Sequence, residues 1–208
     1  MVRSPKVLGI LVLLAGALSA GAVHAASTIT LPRAGQVGIG IQGGYGALLQ
    51  SGRLGDTFGA GPTFAVRVRY RMRYERGLGL SFEGQQFDTR VDPGPAVTGD
   101  EKPEKLSLVT SGLEFYQMFD TRSRTVKMVM AGLGIAQGRV RLNDGETSFA
   151  EEDRAGDGSY LSLGAGIERF AFRSLAYDLS FRYLAVFQNG QANHDVQAAL
   201  GLIFYAGE

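Results

Sequence analysis

Apolar and charged residues alternate without a break through FAVRVRYRMRY, residues 64–74, so that Arg67, Arg69, Arg71 and Arg73 occupy every second position. A period of two marks a β-strand, because successive side chains leave a strand on opposite faces. One face of this strand is a ladder of guanidiniums ~6.7 Å apart, and the other is wholly apolar. The same alternation defines eight runs, at 35–50, 62–75, 78–88, 106–119, 125–142, 159–172, 176–188 and 195–205. No stretch from Gly35 onward has a helical period. The predicted class is all-β, in one domain without an internal linker.

The connections carry a rhythm of their own. SGRLGDTFGAG, DTRVDPGPAVTGDEKPEK, NDGETSFAEEDRAGDG and QNGQANH are long and polar, while the intervening ERG, DTRSR and RSL are short. In an up-and-down meander this rhythm gathers the long connections at one end and the short turns at the other. An even strand number then returns both termini to the short-turn end. The expected fold is an eight-stranded antiparallel up-and-down β-barrel.

Sorting each strand by face shows what the barrel must enclose. One face collects Val37/Ile39/Ile41, Phe64/Val66/Val68, Leu78/Leu80/Phe82, Leu113/Phe115, Leu133/Ile135, Leu161/Leu163, Leu179/Phe181 and Leu200/Leu202. The other holds the arginine ladder with Ser81, Glu83, Thr110, Glu114, Ser162, Glu168, Asp178, Ser180, Arg182 and Gln197, together with glycines such as Gly38, Gly40, Gly79, Gly132, Gly164 and Gly201. A soluble, lipocalin-like exported barrel would turn the apolar face inward; a transmembrane barrel would turn it outward. The glycines favour the second arrangement. On a solvated face they only weaken a strand, whereas in a narrow lumen they make room for large neighbours. An arginine facing lipid near the midplane would cost ~2–4 kcal/mol, so four in a row must face inward. Buried charge needs partners. The inward set, Arg67, Arg69, Arg71, Arg73 and Arg182 against Glu83, Glu114, Glu168 and Asp178, is nearly balanced and is read as a structural network that fills the lumen. Aromatics near the strand ends are expected to form two interfacial girdles. Phe64, Phe87, Tyr160 and Phe187 stand at the long-connection end, and Tyr74, Phe119, Phe172, Tyr177, Phe204 and Tyr205 at the short-turn end.

Composition and the N-terminus extend this picture. MVRSPKVLGILVLLAGALSAGAVHAA has a basic n-region at Arg3 and Lys6, an apolar run Val7–Ala22, and a small-x-Ala pattern at Val23–Ala25. Residues 1–25 are therefore read as a cleaved signal peptide. Residues 26–34 would be a short periplasmic segment, and 35–208 the barrel. Removing Arg3 and Lys6 leaves 19 basic against 20 acidic residues, which excludes the basic excess of a nucleic-acid binder. The chain has no cysteine, so disulfides and thiolate metal sites are excluded. The acidic stretch 143–158 lacks the D-x-D-x-D-G spacing of a calcium loop and is read as a solvated connection.

On GAGIERFAFRSLAYDLSFRYL, residues 164–184, and the closing GLIFY, residues 201–205, the chain resembles the eight-stranded outer-membrane β-barrel family that includes the OmpA transmembrane domain and OmpX. In that family a Gly-x-Gly strand ending in an inward Glu turns into a strand with an inward Arg. The resemblance spans about residues 35–205 and differs at the very end, where Ala206-Gly207-Glu208 follows the closing aromatic. It implies a multi-pass bacterial outer-membrane protein in contact with lipid and lipopolysaccharide, inserted by the barrel-assembly machinery, monomeric, and free to meet an extracellular ligand through its long connections. A second resemblance is looser. FRYLAVFQNGQANHD, residues 181–195, is similar to the region where lipid A deacylases carry a catalytic His and Ser, but the strand here reads Tyr183-Leu184-Ala185-Val186. His194 and Asp195 are adjacent in a strand and must face opposite ways. The expectation is a non-enzymatic barrel without catalytic residues, cofactor or metal.

Overall fold

The computed structural model describes residues 34–90, 103–142, 147–149 and 156–206. The expected signal peptide and nearly all of segment 26–34 lie outside them, as do most of the connections 89–105 and 143–158. The strands are β1 (Val37–Leu48), β2 (Ala60–Arg73), β3 (Arg76–Asp88), β4 (Pro103–Phe119), β5 (Thr125–Leu142), β6 (Thr147–Phe149), β7 (Asp157–Phe170), β8 (Leu175–Gln188) and β9 (Gln191–Ala206). All pairings are antiparallel. β1 pairs with both β2 and β9, and β4 with β5, so eight long strands close on themselves while β6 adds three residues to β5. The first and last strands meet through Val37 opposite Ala206, which puts both ends of the described barrel beside the short turns.

Side-chain burial is inverted relative to a water-soluble protein. β3 alternates perfectly over its 13 residues, exposing Leu78, Leu80 and Phe82 while burying Ser81, Glu83 and Gln85. Arg71 is 0% exposed and Leu163 is 63% exposed. No soluble barrel would place them so: exposing a belt of leucine, isoleucine and phenylalanine in water forfeits ~25 cal/mol per Å² of apolar area. The lipocalin-like alternative is thereby excluded.

Three departures from the expected architecture have local causes. QNGQANH is not a long loop. β8 and β9 run through it to a two-residue turn at Asn189 (φ 51°) and Gly190 (φ 72°), the positive-φ pair that Asn-Gly supplies in a type I′ hairpin. A helix, α1 (Arg53–Thr57), stands in the first long connection. Its Leu54 and the following Phe58 are buried over the barrel mouth, and the Leu54 amide donates to Asn193 Oδ1 at 3.1 Å. Finally, the interior is not polar throughout. At the long-connection end Leu48, Leu54, Phe58, Phe87, Leu106, Leu108, Ala136, Val140, Tyr160, Leu184 and Val186 form one buried apolar cluster. At the short-turn end Tyr116, Met118, Val126, Met128, Met130, Phe170, Ala176, Ile203 and Tyr205 form another. Phe87, Tyr160 and Tyr205 therefore belong to the interior and not to the girdles, while Phe64, Tyr74, Phe119, Phe172, Tyr177, Phe187 and Phe204 are exposed on the wall or rim.

Candidate functional site

The charged lumen lies between these two apolar clusters, and its construction begins with the smallest side chains. Arg67 is flanked across the ladder by Gly40 and Ser81, Arg69 by Gly38 and Gly79, and Arg71 by Gly77. The same rule serves the partners: Glu114 sits between Gly79 and Gly132, and Arg182 has Gly164 at its side. A guanidinium reaches across a narrow barrel only if the strands beside it carry almost nothing. A Cβ at Gly164 would lie 3.0 Å from the Arg182 Cγ, and one at Gly132 3.2 Å from the Glu114 Cγ.

The charges form two groups. In the first, Arg182 from β8 reaches Glu83 of β3 with Nη1–Oε2 2.7 Å and Glu114 of β4 with Nη2–Oε1 2.6 Å. Arg67 joins the same two carboxylates at 3.6 and 3.8 Å. In the second, Glu168 of β7 takes Arg69 on one oxygen and Arg71 on the other, the latter at 2.6 Å, while Asp178 of β8 lies 3.5 Å from Arg69 and accepts from Gln42. Tyr205 donates to Glu168, and its ring lies beneath the Arg71 guanidinium at 5.1 Å. Tyr116 connects the groups, since its hydroxyl donates to Glu114 while its ring carries Arg69 at 4.1 Å. All eight ionisable side chains are buried.

Arg67, Arg69, Arg71, Glu83, Glu114, Glu168, Asp178 and Arg182 thus come together. Arg73 does not. A register shift between Arg71 and Arg73 inserts one extra residue into β2, and the side chain is exposed at the rim. A bulge of this kind ends the two-residue period that assigned it to the lumen. Tyr116, Tyr205, Gln42 and Asp195 are additions. Asp195 is fully buried beside the arginine groups, with Gln197 Nε2 donating at 2.8 Å and Gln85 Nε2 at 3.4 Å. Each of these residues has inward parity, so the alternation contained the signal.

The groups of this site bind one another. Every carboxylate of the two arginine groups has a cation or donor, and no cluster of three or more metal-ligating side chains exists among the described residues. His194 lies on the outer side of β9, where Nδ1 shares a hydrogen bond with the Tyr183 hydroxyl and the rings stack 5.7 Å apart. Asp195 points into the lumen, so the two do not form a pair.

No family model and no curated protein sequence matches the chain. Solved structures do. Neisserial surface protein A is 17% identical with a TM-score of 0.59, covering 83% of this chain and 98% of that one. Ail, the attachment invasion locus protein of Yersinia pestis, is 12% identical with a TM-score of 0.55, over 83% and 99%. The outer membrane protein OprG from Pseudomonas aeruginosa is 14% identical with a TM-score of 0.55, over 86% and 100%. Identities this low speak for architecture and for nothing finer. With its inverted faces and closed strand order, the chain has the fold of the eight-stranded outer-membrane β-barrels.

Proposed function

We propose that this chain is a monomeric, non-enzymatic barrel of a Gram-negative outer membrane, exported behind the signal 1–25. Its sealed wall stabilises the envelope, and its long connections form the outward surface. Its exterior meets lipid and lipopolysaccharide, and its insertion depends on the barrel-assembly machinery. The carrying observation is the closed lumen. Arg182 and the ladder arginines link opposite walls, and an apolar cluster lies on each side of them. An ion moving along the axis would have to break pairs whose separation costs ~3–5 kcal/mol each. Two of the similar structures are, by name, a surface protein and an attachment protein, which supports a surface-interaction role for the long connections.

The test is conductance of the purified protein in planar bilayers. A sealed lumen gives no steady current; a large, reproducible open channel overturns the reading. The hydrolase alternative has its own test. His194 has Tyr183 as its partner on the outer wall and no carboxylate behind it among the described residues, so these supply no arrangement that activates a nucleophile. Lipid A and short acyl esters should stay intact by mass spectrometry, and cleavage that disappears in His194→Ala would restore the enzyme reading.

A further inference from the structure

Charge outside the lumen is unevenly placed. At the short-turn rim, Arg73 and Arg76 flank the first turn, Arg122, Arg124 and Lys127 belong to the second, and Arg169 and Arg173 to the third. All seven are exposed, and the exposed acidic residues there, among the described ones, are Glu75 and Asp120: an excess of five positive charges. Lys127 Nζ is paired with Asp120 at 2.8 Å, whereas Arg73, Arg76, Arg122, Arg169 and Arg173 make no ion pair among the described residues. By sequence, the connection 143–158 carries six acidic residues and one basic one.

A second feature shares the level of these cations. Exposed aromatic rings stand beside them on the outer wall. Tyr177 is directly opposite Arg169 across the β7–β8 ladder, Phe119 is opposite Lys127 across β4–β5, and Phe172 and Tyr74 adjoin Arg173 and Arg73 in sequence. These rings continue the apolar belt of Leu78, Phe115 and Val129. A ring at the edge of the hydrocarbon with a guanidinium beside it is the arrangement that suits a lipid headgroup.

We propose that the short-turn rim binds anionic glycerophospholipid headgroups in the leaflet that it faces; this rests on the transmembrane reading above. Guanidiniums take phosphate oxygens bidentately. A zwitterionic lipid offers the phosphate together with its own cation, so an excess of five charges selects for lipids that carry net negative charge. A soluble acidic partner would satisfy the arginines but would leave the sideways-facing rings unused.

Spin-labelled phosphatidylglycerol and phosphatidylcholine, compared by electron paramagnetic resonance in vesicles containing the folded protein, test this. Phosphatidylglycerol should be enriched about threefold in the motionally restricted component at low salt. That preference should fall towards one in high salt, where surface charge is screened. It should also fall by at least half in Arg122→Gln/Arg169→Gln/Arg173→Gln and persist in Arg90→Gln/Lys105→Gln at the other rim. Equal association of the two lipids with the wild type overturns the proposal, as does loss of selectivity in both variants alike. Equal association together with binding of soluble polyphosphate assigns the rim to a soluble polyanion instead. Absence of any restricted component for either lipid would count against the transmembrane reading itself.

Discussion

The guanidinium carbon of Arg69 lies 4.1 Å from the centre of the Tyr116 ring, and the hydroxyl of that ring donates to Glu114. One side chain thereby ties the Glu168 group of charges to the Arg182 group, and couples β4 to β2 beyond their common neighbour β3. Tyr116→Phe keeps the ring under Arg69 and removes a hydrogen bond to a charged acceptor, a loss of ~1.5–3 kcal/mol. Tyr116→Leu also removes the cation–ring contact, worth up to ~2 kcal/mol when desolvated. Urea midpoints of reversible unfolding in lipid vesicles should fall in the order wild type, Phe, Leu. Equal midpoints for the two variants would mean that the ring itself contributes nothing.

Gly79 exists for this contact. A Cβ there would stand 2.8 Å from Tyr116 Cε2 and 2.8 Å from the Val68 carbonyl oxygen, and the carbonyl cannot move aside. Gly79→Ala should destabilise by ~1–3 kcal/mol through overpacking. Gly43 is the control: it faces outward on β1, and a Cβ would meet nothing within 4 Å. Gly43→Ala should be neutral or stabilise by ~0.4–1 kcal/mol. A lowered unfolding midpoint for Gly79→Ala beside an unchanged or raised one for Gly43→Ala is the expected result.

Arg182 bridges two carboxylates from two strands on the far side of the lumen. Arg182→Met leaves Glu83 and Glu114 short of a cation and should cost ~3–5 kcal/mol. Adding Glu114→Gln should recover part of that loss, with a coupling energy of ~0.5–3 kcal/mol in the double-mutant cycle. Strictly additive penalties would show that the pair is not a functional contact in the membrane.

The strand interiors were legible because lipid and a packed lumen impose opposite polarity on alternate residues over ten or more positions. Parity assigned Glu83, Glu114, Glu168, Asp178 and Arg182 to the inside, where they lie buried. It failed at Arg73, where a bulge breaks the count next to the turn. Phe87, Tyr160 and Tyr205 teach a different lesson. Alternation already placed them inward, and an expectation about girdles, drawn from residue type alone, pulled them out; their burial agrees with the alternation. Partner identity was not legible. Arg71 and Glu168 are 97 residues apart, and nothing local to either strand says which inward groups will face each other across the lumen. The helix α1 has five residues, too few to leave a 3.6 period. Asn189-Gly190 was visible as turn chemistry, but the polar residues around it concealed that the strands continue to its edge.

The central claim is that charge lies inside and hydrocarbon outside in the native membrane, and cysteine accessibility along one strand tests it most directly. Leu163 and Ser162 are neighbours on β7, one highly exposed and the other buried. In intact outer membranes, Leu163→Cys and, on β5, Leu133→Cys should react with a lipid-soluble maleimide and resist a membrane-impermeant one. Ser162→Cys and, on β3, Ser81→Cys should resist both until the barrel is unfolded, when all four should label fully. Labelling of the Ser162 and Ser81 positions from the lipid phase, with Leu163 and Leu133 protected, would contradict the account.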